Sequence, residues 1–551
     1  MAHVTPLLSP KKRDGARALS WIALVVAGLC ALPMLAVLLA ALSGGTETVQ
    51  HLASTVLGDY ARTTLTLVVL VAIGTFSIGV GAAWLVTMTR FPGVKIFEIA
   101  LVLPLAFPAY VLAYAYTHVL DHPGIVQSTL REVTGWGPRE YWFPEIRSLG
   151  GAAAMLILVL YPYVYLLARA AFLQQSGTTF LAARALGSSP WAAFFKVSLP
   201  LARPAIAGGV LLAVMETIAD FGTVAYFGVQ TFATGIYTSW FSLFDRVGAA
   251  QLALCLLSFA LLLAMLERLQ RGNAKYHDPA RRAKAAPALK LRGVHAGLAM
   301  TLCAVPVVFG AILPIAVLFS MGLGSEQNLL SARYLGFIQN SATLASIAAV
   351  VTVAAAISVG FFQRMRSGRV SQSAAYVARL GYAVPGGVIA VGLMVPFAAF
   401  DNTLDAWMRS TFDISTGLLI TGSIWLLIIA YMVRFLAAAL GAYEGGQAMV
   451  HVNMDAASRS LGQGPVATLR RVHLPILAPS LMTALLIVFV DVMKELPATL
   501  IMRPFNFDTL AVQAYRLASD ERLEGAAVPS LVIVAMGLLP VILICRQVGR
   551  R

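Results

Sequence analysis

Apolar runs of nearly uniform length alternate with short polar connections along the whole of this chain. One series occupies residues 19–43, 64–88, 97–120, 149–173, 205–228 and 249–267, and a second occupies 294–320, 341–363, 376–400, 417–440, 479–500 and 527–545. Each run is close to the ~20 residues a helix needs to cross a bilayer core of roughly 30 Å. The pattern predicts an all-α polytopic membrane protein of about twelve transmembrane helices. The first run is too long, and lacks the small-residue cleavage site, for a removable signal segment, so it is expected to stay as an anchor.

Polar interruptions carry the next signal. LAARALGSSPWAAFFKVSLP, from Leu181, lies between the fourth and fifth runs, and AASRSLGQGPVATLRRVHLP, from Ala456, lies between the tenth and eleventh. Gly187 and Gly462, Arg184 and Arg459, Pro190 and Pro465, and Pro200 and Pro475 are each 275 positions apart. Gapless agreement of this kind marks an internal repeat. An even number of spans per half makes the two six-helix repeats parallel, paired about an axis normal to the membrane and enclosing a path. Within each copy a short helix precedes a glycine suited to left-handed geometry. A cap and a first-turn proline (Ser189 and Pro190, Gly464 and Pro465) then start a second helix, which Pro200 and Pro475 are expected to stop before the next span.

Composition and charge set the topology. The chain has 551 residues, 59% of them apolar and only 12% charged, against about 25% charged in soluble domains; its mean hydropathy is +0.80. Lys11, Lys12, Arg13 and Arg17 precede the first run, and Arg90 and Lys95 follow the second. Eight cations from Arg268 to Arg292 separate the halves, and Arg364, Arg366 and Arg369 follow the eighth run. Cationic loops stay in the cytoplasm, so both termini and both quoted segments are expected there. The net charge of +15 is then a topological excess rather than a nucleic-acid surface. The expected organisation is a cytoplasmic N-terminus (1–18), a first permeation domain (19–267, with the segment 181–200), and a basic linker (268–293). A second domain (294–545, with 456–475) and a short tail (546–551) follow. Cys30, Cys255, Cys303 and Cys545 lie in or beside apolar runs without CxxC spacing and are read as small core residues.

A short amphipathic helix presented twice on one face reads as a pair of docking elements for a symmetric cytoplasmic partner. A helix lying in the lipid headgroups would use the same cations, but the duplication with identical spacing favours a paired partner. These segments resemble the EAA loop of bacterial ABC-importer permeases, of the MetI-like type, whose pattern is matched by Ala182, Ala183, Gly187, Val197, Leu199 and Pro200. The second copy matches it with Ala457, Ser458, Gly462, Val472, Leu474 and Pro475. Leu181 and Ala456 stand where that family usually has Glu, with Asp455 one residue away. The resemblance implies a fused two-domain permease whose coupling residues are Ala182, Ala183, Arg184, Gly187, Pro190, Trp191 and Pro200, with Ala457, Ser458, Arg459, Gly462, Pro465 and Pro475. It also implies a cytoplasmic ATPase homodimer, a periplasmic substrate-binding protein and residence in the bacterial inner membrane.

LPLAFPAYVLAYAYT from Leu103, YWFPEIRSLGGA from Tyr141, ADFGTVAYFGVQTFATGIYTSWF from Ala219 and MKELPATLIMRPFNFDTLA from Met493 resemble the iron(III) branch of those permeases. The thiamine, polyamine and phosphonate branches share parts of these stretches. No GxxxxGK[ST] occurs, so the chain is not expected to be an enzyme, to bind a cofactor or to hold a metal of its own; ATP belongs to the partner.

Charges within spans need reasons. Glu216 and Asp491, and Asp220 and Glu495, are 275 positions apart, and with Lys494 they are candidates for the translocation path. One reading is a carboxylate ring, net about three negative, that favours a hard cation. The other is that Lys494 bridges Asp491 and the acids cap broken helix ends. Pro104, Pro108, Pro385, Gly386 and Gly387 read as kinks, and Tyr110, Tyr114 and Tyr116 as packing residues, though phenolic oxygens also suit iron. The segment from Asp121 to Arg147 is either a landing surface for a binding protein or a self-packed lid. His451 and His473 read as loop residues outside the spans. An ion-coupled secondary transporter is the competitor from another class, since twelve spans in two parallel halves also describe the major facilitator architecture.

Overall fold

The computed structural model describes all residues except 1–9, 44–46, 139, 176–181, 272–288, 328–330, 367 and 550–551. Most of the basic linker, and Leu181, thus lie outside the described residues. The chain is almost entirely helical. Its sheet, among the described residues, is one parallel pairing of Thr89–Arg90 with Leu289–Lys290.

Ten helices among the described residues are long and apolar enough to cross a membrane, and eleven if one bent pair counts as a single span. The bent pair is Val94–Ala106 with Ala109–Thr134, which turns by 93°. The twelfth expected span corresponds to Leu523–Gly549, whose apolar part, Leu523–Leu538, is shorter.

Two of the expected spans, 97–120 and 376–400, are not continuous, for the same reason. A 3₁₀ turn (Leu103–Ala106, Gly381–Ala383) leads to one extended residue (Phe107, ψ 135°; Val384, ψ 118°). A proline cap then starts a new helix at Ala109 and at Gly386. Proline crowds the residue before it out of the helical region and has no N–H to continue the ladder. Pro108 and Pro385 therefore end one helix and begin the next, so they are breaks rather than kinks.

The chain forms two compact units that are interleaved in sequence. One comprises residues 1–45, 246–257 and 335–509; the other comprises 46–245, 258–334 and 510–551. In the first unit, helix Pro10–Ser43 packs along Gly386–Phe412, and Ile424–Gln447 packs along Leu474–Met493. Small residues permit the close approach: a Cβ at Gly392 would overlap the backbone of Pro33. In the second unit, Leu57–Met88 packs along Leu149–Gln174 and Leu199–Ala219, while Leu523–Gly549 packs along Leu313–Leu323. Here Gly79 sits against Val164, and Gly537 against Ala106. Without a hydrophobic drive between helices in lipid, such small-residue contacts carry association.

Gly392→Leu is expected to destabilise the first unit by about 1–3 kcal/mol through overpacking. Gly28→Leu on the facing helix Pro10–Ser43, where a Cβ meets nothing within 4 Å, serves as the control. Thermal unfolding in detergent should show a lowered midpoint for Gly392→Leu alone.

Candidate coupling loops and charged helix breaks

Both copies of the repeated segment fold the same way. Gly187 has φ +85° and Gly462 φ +72°. In the first copy the Leu186, Gly187 and Ser188 N–H groups donate to the carbonyls of Ala182, Arg184 and Ala183, at 3.0, 3.1 and 3.1 Å. In the second, Leu461, Gly462 and Gln463 donate to Ala457, Arg459 and Ser458, at 3.0, 2.9 and 3.0 Å. The long return bond across a left-handed glycine closes a helix C-terminus that water would otherwise have to satisfy. Ser189 Oγ then accepts from Ala192 N–H at 3.1 Å and starts the helix headed by Pro190, while Gly464 precedes Pro465 in extended geometry.

Pro200 and Pro475 do not stop these helices. Trp191–Ala219 and Pro465–Met493 each run without interruption into the span. A π-helical turn, Phe194–Ser198 in one copy and Leu469–His473 in the other, precedes each proline, and Leu199 and Leu474 donate to carbonyls five residues back. Widening the turn relieves the clash between the proline ring and the preceding turn.

The outer surfaces of the two copies differ. Leu186 and Leu461 are the most exposed apolar residues of each, at 87% and 79%. Trp191 and Phe195 are also exposed in the first copy, whereas the equivalent places of the second hold Val466 and Arg470. Ala182 and Arg184 are exposed and Ala183 half-buried; Ala457 and Arg459 are exposed, while Ser458 is buried, its hydroxyl 2.8 Å from Thr468 Oγ1.

His473 is no loop residue. It is fully buried in the π-turn, its Nε2 2.7 Å from Asp455 Oδ1 and its ring edge-on to Phe361 at 5.1 Å. Arg364 Nε donates to the other Asp455 oxygen at 2.7 Å. Burial alone would raise the Asp455 carboxyl, but hydrogen bonds from His473 and Arg364 outweigh it and hold the group below the ordinary carboxylate range. His451 caps the helix Val452–Ser460, its Nδ1 accepting from Asn453 N–H at 3.2 Å.

At the inner ends of the helices that follow each loop, Asp220 and Glu495 occupy equivalent breaks. Asp220 accepts from the N–H groups of Thr223 and Val224 and from Thr223 Oγ1, at 3.0, 3.2 and 3.0 Å. Glu495 accepts from the N–H groups of Ala498 and Thr499 and from Thr499 Oγ1, at 3.1, 3.2 and 2.9 Å. Both carboxylates thus cap the N–H groups three and four residues on, and only the hydroxyl donor differs, three residues on at Thr223 and four at Thr499.

The charge partners differ. Arg434, not anticipated from the sequence, donates to Glu495 at 3.1 Å, and Lys494 pairs with Asp491 at 2.9 Å. Asp220 makes no ion pair among the described residues. Glu216 lies one turn before Asp220 and is half-buried. The three tyrosines are buried: Tyr116 donates to the Phe309 carbonyl at 2.6 Å, and Tyr114 packs edge-on against Tyr226 at 4.8 Å and is tilted to Tyr110 at 5.7 Å.

The 121–147 segment is pinned at its base. Arg147 donates to Asp121 at 3.0 Å, grips both Glu521 oxygens at 2.7 and 2.8 Å, and lies 5.1 Å over the Tyr226 ring. Inside it, Arg131 donates to Tyr141 Oη, which donates to Gln127. Trp142 stays 86% exposed, so the segment is packed within and open without.

Residues 75–272 match the family described as "Binding-protein-dependent transport system inner membrane component". The chain is 26% identical over 530 residues to the Fe(3+)-transport system permease protein FbpB 2 of Haemophilus influenzae, covering 94% of this chain and 95% of that one. The match to a transport-system membrane component in the first half is thus joined by a likeness to a ferric-transport permease along nearly the whole chain. It is also 25% identical to the ferric transport system permease protein FbpB of Actinobacillus pleuropneumoniae, over 81% of this chain and 64% of that protein. A 197-residue stretch of the permease is 28% identical to the molybdenum transport system permease protein ModB of Escherichia coli, which is 81% covered. That stretch is 34% of this chain.

Glu495→Gln removes the carboxylate that Arg434 pairs with inside a span, and it is expected to lower stability by about 3–5 kcal/mol. Arg434→Met combined with Glu495→Gln should recover most of that loss. Thermal midpoints of the purified permease in detergent decide the matter.

Proposed function

We propose that this permease carries iron(III) across the bacterial inner membrane, fed by a periplasmic binding protein and driven by a cytoplasmic ATPase homodimer. The observation that carries the cargo is the likeness to an Fe(3+)-transport permease along 94% of the chain. ATP is bound and hydrolysed on the partner, and this chain needs no cofactor of its own.

In this reading both termini and both coupling loops face the cytoplasm. The loops dock the two ATPase subunits through Leu186 and Leu461, with Ala182, Ala183, Arg184, Gly187, Pro190, Trp191 and Pro200 shaping one docking element. Ala457, Ser458, Arg459, Gly462, Pro465 and Pro475 shape the other. Because each loop helix runs through its π-turn into a span, displacement of a loop tilts that span. Closure of the ATPase dimer on ATP draws the loops together and rocks one six-span repeat against the other, opening the path to receive cargo.

The acids supply the path's charge. Lys494 offsets Asp491 and Arg434 offsets Glu495, so the carboxylate left to attract a cation is Asp220, with Glu216 a turn away. The charge on the path is thus unequal between the repeats, and smaller than three carboxylates would give. The exposed Trp142 side of the 121–147 segment is the landing surface for the binding protein, held in place by Arg147.

ATP-dependent uptake of radiolabelled iron(III), with thiamine and putrescine as competing cargoes, tests the cargo in cells expressing the permease with its ATPase and binding protein. Iron uptake that neither competitor reduces is expected; uptake of another cargo in its place contradicts the iron reading. Gly187→Pro and Gly462→Pro, which cannot hold a positive φ, are each expected to abolish uptake while the chain still inserts. Normal uptake by both contradicts the docking role. Asp220→Asn should slow uptake more than Asp491→Asn in initial-rate measurements.

A further inference from the structure

The two coupling loops are joined to their units by different physics. In the first copy the joint is aromatic: Trp84 stacks on Trp191 at 4.9 Å and lies 5.1 Å from Phe194, which meets Phe172 at 6.1 Å. In the second, the places 275 positions on from Ser198 and Phe172 hold His473 and Gln447. The joint there is a hydrogen-bonded ion cluster. Asp455 takes both His473 and Arg364 at 2.7 Å, and Arg364 also donates to the Val450 carbonyl at 2.8 Å. Its three charged or titratable members come from three separate elements: helix Ala332–Met365, the loop helix Val452–Ser460, and the π-turn that opens Leu474–Met493.

Aromatic contacts prefer certain ring orientations, but their apolar burial is non-directional and favourable over a range of separations of about 4.5–7 Å, so they tolerate sliding and small rotations. Charge-assisted hydrogen bonds are short and directional, and a shift of one ångström breaks them. This cluster is only partly open to solvent, and its paired charges contribute little net stability while their geometry constrains how the three elements meet.

We infer that Asp455, Arg364 and His473 are positioning residues that make the second coupling loop a stiff lever, while the first loop works through a compliant aromatic joint. Motion of the second loop is transmitted to its spans without slack, and the first loop accommodates the remaining mismatch. This rests on the docking reading above. It assigns to Asp455, one residue from the position where Glu is usual in related loops, an anchoring role within the permease itself.

The test uses the complete transporter in liposomes, measuring ATP hydrolysed per iron(III) ion imported together with ATPase retention on purification. Asp455→Asn and Arg364→Gln should each raise the ATP-to-ion ratio about threefold or more, with ATPase retention unchanged. Asp455→Glu, which keeps the carboxylate, should stay near wild type. Trp84→Phe in the first joint should also leave the ratio near wild type. Gly462→Pro is run alongside. If Gly462→Pro uncouples but Asp455→Asn and Arg364→Gln do not, the stiff-lever inference is overturned and the docking reading stands. If none of the three changes the ratio, the docking reading fails and takes the inference with it. Damage by Asp455→Glu or Trp84→Phe equal to that of Asp455→Asn also overturns it, since any disturbance of either joint would then suffice.

Discussion

A hydrocarbon core offers no water to a broken helix, so every interruption of a span must satisfy its own backbone groups. Most of what distinguishes this permease follows from where it breaks its helices and how it closes the breaks. Phe107–Pro108 and Val384–Pro385 use proline to end one helix and begin the next. Asp220 and Glu495 close the exposed N–H groups beyond Ala219 and Lys494 with carboxylates. Pro200 and Pro475 are absorbed by π-turns that keep the helix intact. Each device occurs twice, at equivalent places, because the chain is a repeat.

Equivalent backbones need not carry equivalent side chains, and the repeats have diverged where charge matters. Glu495 has acquired Arg434, whereas Asp220 is held by hydroxyl and amide donors. One copy of the repeated loop sits on tryptophan and phenylalanine, the other on an aspartate shared by histidine and arginine. A fused chain permits this divergence. A homodimer of half-size permeases would have to place the same residue on both sides of the path.

The parts that local chemistry dictates were legible in the sequence. The spans follow from runs of apolar residues, the duplicated loops from the common spacing of Gly187 and Gly462, and the Lys494–Asp491 pair from its i,i+3 spacing. What escaped depends on tertiary placement. Arg434 lies inside the apolar run 417–440 with no local acid, so nothing nearby marks it as the partner of a residue 61 positions away. His473 sits one residue before a Leu-Pro pair, which reads as a loop only if the proline ends a helix, and here the π-turn prevents that. The grouping of residues 1–45 with 335–509 is likewise invisible to any local pattern, because an apolar helix carries no address for the unit it joins.

The central claim is that one chain supplies both coupling loops to one ATPase dimer. Native mass spectrometry of the transporter purified from membranes tests this most directly, by counting subunits. The account requires one permease chain with two ATPase chains, and loss of both ATPase chains when Leu186 and Leu461 are changed to Asp together. Two permease chains for each ATPase pair, or full ATPase retention in that double variant, would contradict it.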